Sequence, residues 1–170
     1  MDTEIKIRQS GPQDLPAMLA IFDSAVAWLN GRGITAQWGT EPFSARPKTV
    51  ESVERVVAEG TPWIAEIDGV PVGTLTLTPY PGAHVARADE PERYVRFLAT
   101  DGRRHGLGVG AALLAHAAEE TRRLGVSLLR VDCFAGGEGR LVAYYERQGF
   151  TRTEAFTVGD WPGQVLERRV

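Results

Sequence analysis

Between Tyr94 and Gly125 the chain reads YVRFLAT, DG, RRHGLGVG and then AALLAHAAEETRRLG. This is the pattern of a strand, a short basic turn with Gly106, Gly108 and Gly110 at every second position, and an alanine-rich helix. Glycines so spaced let backbone N–H groups crowd around a ligand, and a helix start adds the positive end of a dipole. Such a turn suits a phosphate or pyrophosphate, with Arg103, Arg104 and His105 placing further charge just ahead of it. Which phosphate carrier it holds depends on the rest of the chain.

The 170 residues fit one domain of common size, 1–170, long enough to bury a core. The formal net charge of -3 leaves no basic footprint for nucleic acid, so no nucleic-acid partner is expected. A single cysteine, Cys133, excludes an internal disulfide and leaves no cluster for a metal. The opening MDTEIKIRQS lacks an apolar leader core, and no apolar run approaches a membrane span. The expectation is therefore a cytoplasmic protein with no membrane partner; oligomeric state stays open, a homodimer included.

In chain order, EIKIR (Glu4 to Arg8) alternates as a strand, and Ser10 to Gln13 is expected to form a capping box. Leu15, Met18, Leu19, Phe22, Val26 and Leu29 keep a helical period that Asn30-Gly31-Arg32-Gly33 ends. After an irregular segment, Thr49 is expected to cap a shorter helix with Val50, Val53 and Val57 inward and Gly60 at its end. WIAEI, Asp68-Gly69 and VPVGTLTLT form the clearest hairpin in the sequence. A polar loop from Tyr80 to Pro91 leads to the strand Tyr94–Thr100, the glycine turn and its helix, in which Glu119 is set to pair with Arg123. SLLRVDCF reads as a buried strand, GGEGRLVAYYERQ as a loop into a short helix, and TRTEAFTV and QVLERRV as two closing strands. The order β-α-α-β-β-β-α-β-α-β-β predicts one α+β domain of seven strands and four helices.

Gly106 to Ala111 also satisfies the looser dinucleotide fingerprint G-x-G-x-x-A, with Asp132 some twenty residues on. That fold needs repeated βα units, whereas here a hairpin precedes the turn and too little chain follows for a second half. A Walker-type loop is excluded because no Gly-Lys-Ser/Thr follows. The glycines could also serve tight strand-to-helix packing alone.

Two motifs together resemble the GCN5-related N-acetyltransferases (GNAT). The family's Arg/Gln-x-x-Gly-x-Gly/Ala, which holds the pyrophosphate of acetyl-CoA, is similar to Arg103-x-x-Gly106-x-Gly108. The family's tyrosine ahead of a Gly-Phe pair is similar to Tyr145 with Gly149-Phe150, and Leu98-Ala99-Thr100 stands where the family's preceding strand commonly reads Leu-Ala-Val. The element order resembles the family along almost the whole chain. Two departures stand out. The lead-in to Arg103 is about two residues shorter than the family's, and Gly136, Gly137, Glu138 and Gly139 occupy a loop where the family often has an asparagine.

The resemblance implies a mixed, mostly antiparallel sheet flanked by helices, and acetyl-CoA as the co-substrate with no metal. It places the cofactor against Leu98, Ala99, Thr100, Arg103, Arg104, His105, Gly106, Leu107, Gly108, Val109 and Gly110. The strand Leu98–Thr100 would offer a backbone N–H to the thioester carbonyl, and loss of one such donor typically lowers the rate by about 10²–10³. Tyr145 would be the general acid toward the departing thiolate, while Tyr144 is expected to pack. The base is open among Glu92, Asp132 and a chain of waters. His84 and His116 have no evident role, and Cys133, with no histidine beside it, reads as a buried strand residue. Trp28, Gln37 and Trp38 are candidates to line the pocket of an amine, small molecule or peptide. The alternatives are a non-catalytic CoA-binding module and the dinucleotide-binding domain; another acyl-CoA could replace acetyl-CoA as donor.

Overall fold

The computed structural model describes residues 3–170. Seven strands form one sheet: β1 (Lys6–Gln9), β2 (Thr61–Ile67), β3 (Val70–Thr78), β4 (Glu92–Thr100), β5 (Leu128–Phe134), β6 (Thr151–Val158) and β7 (Trp161–Arg169). The spatial order is β1-β2-β3-β4-β5-β7-β6. Four helices accompany it: α1 (Leu15–Gly31), α2 (Pro47–Glu59), α3 (Val109–Arg123) and α4 (Arg140–Arg147). The expected α+β architecture is what the chain adopts. A parallel dinucleotide fold is not: only β4 and β5 run parallel, and every other pairing is antiparallel.

Each face of the sheet is covered because the helices carry apolar stripes. On one side α1 brings Met18, Ile21, Phe22 and Val26 to Ile64 and Ala99, with Phe43 and Val53 alongside. On the other, Leu113, Leu114, Ala117 and Ala118 of α3 meet Val72, Leu75, Val95 and Leu129. Leu113 is fully buried, and truncating such a leucine to alanine typically removes about 2–5 kcal/mol. β6 pairs only with β7 and is exposed along most of its length, so it contributes little to either core.

Local boundaries differ from expectation where side chains compete for the same helix start. Asp14, not Gln13, accepts the Gly11 N–H at 3.0 Å, and Ser10 lies buried instead of capping. Arg46 precedes α2 with Pro47 in its first turn, so Thr49 falls inside the helix; Val57 packs partly buried on the core beside Val53 as expected, and Val56 is buried as well. On α3, Glu119 pairs with Arg122 and Glu120 with Arg123, both one residue closer than the expected Glu119–Arg123 pair. Among the described residues no helix is long and apolar enough to cross a membrane.

Two features of β4 position the site. Its parallel pairing with β5 lasts only from Glu92↔Leu128 to Tyr94↔Arg130. Beyond that the strands part, leaving a wedge in the middle of the sheet. Facing β3, β4 carries one extra residue between Arg96 and Ala99, a bulge at which Phe97 adopts φ 52°. Bulges bend a strand and redirect its backbone groups, here at the mouth of the wedge.

Candidate active site

The wedge opens into a cleft of about 860 Å³. Its walls are β4 from Val95 to Thr100, the turn from Arg104 to Ala111, β5 from Val131 to Phe134, and Tyr144 and Tyr145 of α4. Trp28, Gln37 and Trp38 also line it, so the structure brings the three candidate acceptor residues to the same cavity as the glycine turn. The volume lies within the range of small-molecule and cofactor sites.

Asp101 holds the glycine turn to the body of the protein. Its N–H donates to the Val72 carbonyl at 2.8 Å, and the Ser24 hydroxyl donates to its carboxylate at 2.7 Å. The Gly102 N–H donates to that same hydroxyl at 3.1 Å. Arg103 then closes on Asp101 with its backbone N–H and two guanidinium nitrogens, at 3.0, 3.1 and 2.9 Å. The Arg103 guanidinium and the Ser24 hydroxyl hold the Asp101 carboxyl down at about 2. Arg103 is thereby committed to Asp101 and lines a separate shallow depression with Ala17, Ala20 and Pro71, outside the cleft.

The turn that faces the cleft begins at the next residue, Arg104. His105 stacks on Trp28 with ring centroids 4.5 Å apart, and the Arg32 guanidinium lies 4.4 Å from the same indole. Gly108 precedes α3 at φ 77°, a left-handed conformation that favours glycine. The first N–H bonded along the helix is that of Ala112, to Gly108. The N–H groups of Val109, Gly110 and Ala111 therefore stand ahead of the ladder, at the positive end of a fifteen-residue helix. Gly110 makes room for the Tyr144 hydroxyl, which would lie 2.5 Å from a Cβ there. Tyr144 thus belongs to the cleft, contrary to the expectation that it only packs. Counted from His105, the pattern reads His105-x-x-Gly108-x-Gly110, and the two-residue shortfall before Arg103 disappears.

Tyr145 ends its helix against the Gly-Phe pair. Its ring meets Phe150 edge-on at 5.9 Å, Gly149 turns at φ 93°, and the Phe150 N–H donates to the Tyr145 carbonyl at 3.2 Å. The residue is 6% exposed yet lines the cleft, and burial pushes its phenol well above the ordinary value. Such a phenol stays protonated at neutral pH. Cys133, on the neighbouring strand, is pushed up to about 12 by burial and by Asp132, so it is a neutral thiol.

Glu92 and Asp132 separate clearly. Glu92 is 3% exposed and accepts from Arg130 at 2.7 and 3.1 Å and from the Ala88 N–H at 2.7 Å. It lies at the closed end of the β4–β5 pair, outside the cleft, where a base could not reach a substrate. Asp132 does line the cleft; it accepts the Tyr94 hydroxyl at 2.7 Å, and burial raises its carboxyl above the usual range. Trp161, unremarked in the sequence, closes the opposite wall: its indole N–H donates to the Gln37 carbonyl at 3.0 Å and its ring lies 5.7 Å from Phe134. Among the described residues no group of three or more histidines, cysteines or carboxylates is disposed to hold a metal.

The fold has counterparts in solved structures. A GNAT-family acetyltransferase of Listeria monocytogenes superposes with a TM-score of 0.76 at 17% identity, covering 99% of this chain and 96% of the other. The PaiA N-acetyltransferase of Thermoplasma acidophilum, in complex with coenzyme A, gives 0.72 at 17% identity over 98% and 99%. YncA of Salmonella typhimurium, with its cofactor acetyl-CoA, gives 0.65 at 17% identity over 97% and 93%. These likenesses show the fold. No curated protein matches the sequence. The family model of the acetyltransferase (GNAT) family matches residues 23–150, a span from the middle of α1 to the Gly-Phe pair after α4, and the chain belongs to that family.

Proposed function

We propose that this protein is an acetyl-CoA-dependent N-acetyltransferase acting directly on a primary amine. The observation that carries the reading is that one cleft is lined both by the exposed amides at the start of α3 and by Tyr145. The residues present fit the co-substrate. The amides of Val109, Gly110 and Ala111 can bind a pyrophosphate, with Arg104 and His105 beside them, while Gly106 and Gly108, which have nothing within 4 Å of where a Cβ would stand, leave room for backbone approach. The co-substrate supplies an activated acetyl group as a thioester.

The chain's own groups do the rest. Phe97 and Leu98 fall between registered pairs in the β4 bulge, so a backbone N–H of this run can meet the negative charge that develops on the thioester oxygen. Asp132 takes the proton that the attacking amine sheds, directly or through one water, its raised pKa bringing it closer to the working pH. As the N–C bond forms and the C–S bond breaks, the Tyr145 hydroxyl donates its proton to the departing sulfur. The buried, neutral Cys133 thiol favours direct transfer over an acyl-enzyme. PaiA and YncA, described with coenzyme A and acetyl-CoA, support the donor. The test is release of free thiol from acetyl-CoA with a panel of amines, each product weighed by mass spectrometry. Amine-dependent release with one acetyl group added supports the reading; tight binding of CoA with no release from any amine points to a non-catalytic binding module.

A further inference from the structure

The acceptor half of the cleft holds an arginine with no anion. Arg96 sits on β4 beside the bulge, half-buried, its guanidinium packed on Gly82 of the 79–91 loop, where a Cβ would lie 3.2 Å from Nη2. The Phe97 ring is 5.8 Å away. Among the described residues, no carboxylate lies within 4.0 Å of this guanidinium and no hydrogen bond satisfies it. Burial lowers its pKa, and the charge of Asp132 offsets part of that without making an ion pair. Half-buried and unpaired, the guanidinium keeps its planar fork of donors available to an anion that enters the cleft.

The neighbouring strand shows the contrast. Arg130 is 6% exposed, and the fold surrounds it with both Glu92 oxygens and the Ala86 carbonyl. An arginine kept for structure is therefore fully matched in this protein, and Arg96 is not. Asp132 lies close enough for each group to influence the other's ionisation, yet the two form no ion pair. Opposite charges held apart in one cleft form a receptor for a molecule that carries both. The whole lining agrees in sign: Arg32, Arg96, Arg104, Arg140 and Arg147 face it against the single acid Asp132, on a chain whose net charge is -3. Part of that charge answers the phosphates of the co-substrate, Arg104 included, while Arg96 stands on the acceptor side with Asp132.

We infer that the acceptor is a small primary amine carrying its own anionic group, of the amino-acid kind, with Arg96 binding the anion while the amine faces Asp132. This rests on the acyl-transfer reading above for the fate of the amine, but the anion site is separable from it. Arg96 acts here as a specificity residue: five donors in a planar fork suit a carboxylate bidentately. A site built to hydrogen-bond such a group discriminates strongly against an analogue without it.

The experiment compares α-amino acids with their carboxamides, which keep the amine and lose the charge. With saturating acetyl-CoA, kcat/KM for the favoured acids should exceed that for the matched amides by about tenfold or more. In Arg96→Gln the ratio should collapse toward one, and in Arg96→Lys it should be intermediate. Equal turnover of acids and amides, a ratio that survives in Arg96→Gln, or preference for peptide N-termini overturns the inference while leaving acetyl transfer intact. A second readout is thermal unfolding of the CoA-loaded protein with N-acetyl amino acids and N-acetyl amino-acid amides, which cannot be acetylated at nitrogen again under the assay. Stabilisation by the acids alone, lost in Arg96→Gln, supports the anion site even if no amine is turned over, in which case only the transfer reading fails. No stabilisation by either, together with no acid preference, removes the anion site.

Discussion

The Tyr94 hydroxyl donates to Asp132 across 2.7 Å, and this bond spans the point where β4 and β5 stop pairing. Tyr94 is the last residue of β4 in register with β5, and Asp132 stands two residues past its partner Arg130. A carboxylate is thus held by one phenol at the floor of the cleft, with its remaining acceptor capacity free for a substrate proton.

Replacing Asp132 with asparagine should separate catalysis from stability. Burial raises the Asp132 carboxyl in the folded protein, so the protonated form is the one the fold favours, and the stability it contributes is lost as pH rises through the raised value. Asparagine stays neutral and can still accept from Tyr94. We expect Asp132→Asn to lower kcat by about 10²-fold while the unfolding temperature at neutral pH holds or rises. Thermal unfolding from acid to neutral pH beside the thiol-release assay checks both halves; retained turnover would remove Asp132 as the base.

Glu92 should behave in the opposite way. Its removal leaves buried Arg130 with only the exposed Glu154 carboxylate at 3.9 Å, and breaking a buried pair in this way typically destabilises by about 3–5 kcal/mol. Denaturant unfolding of Glu92→Ala should show that loss, and the fraction that stays folded should keep near-normal kcat at low temperature.

Adjacent arginines of the glycine turn should differ in effect. Arg104 lines the cleft and Arg103 is spent on Asp101, with 84% of its side chain exposed. Arg104→Ala is expected to raise the KM for acetyl-CoA several-fold, with a dependence on salt; Arg103→Ala should change it by less than about twofold. Steady-state kinetics at two ionic strengths distinguishes them.

Asp101 gives the turn an acid-sensitive anchor. Its carboxyl is held at about 2, against an ordinary 3.8, so its contribution to stability is present above pH 3.8 and fades as pH falls toward 2. The shift corresponds to at most about 2 kcal/mol, less whatever solvent screens at the exposed Arg103. Asp101→Asn should lose this stability at neutral pH and flatten the acid limb of the unfolding curve.

Much of the fold was legible because its signals are local. The Asp68-Gly69 turn, the 3.6-residue stripe from Leu15 to Leu29 and the alternation of the strands each report on a few neighbouring residues, and the sheet assembled accordingly. The glycine turn was legible for the same reason, whereas Tyr145 stood out only through the resemblance to the family. What escaped depends on pairing between distant segments. Glu92 and Asp132 are both acids on strands, and only the contact between β4 and β5 shows that one is matched by Arg130 while the other faces the cleft. Tyr144 entered the site because Gly110, thirty-four residues earlier, leaves room for its hydroxyl. The register of the glycine motif escaped too: the sequence matched it at Arg103 with a lead-in two residues short, and only the Asp101–Arg103 bonds show Arg103 drawn away from the cleft.

Tyr145→Phe tests acetyl transfer most directly. It keeps the ring that packs on Phe150 and removes only the hydroxyl. With kcat from thiol release and Kd for CoA from calorimetry measured on the same preparations, the wild-type protein should release thiol only when an amine is present. The variant should lose about 10²-fold or more in kcat with Kd unchanged within about twofold. Unaltered kcat in Tyr145→Phe, or a wild-type protein that binds CoA and releases no thiol to any amine, would contradict the proposed chemistry.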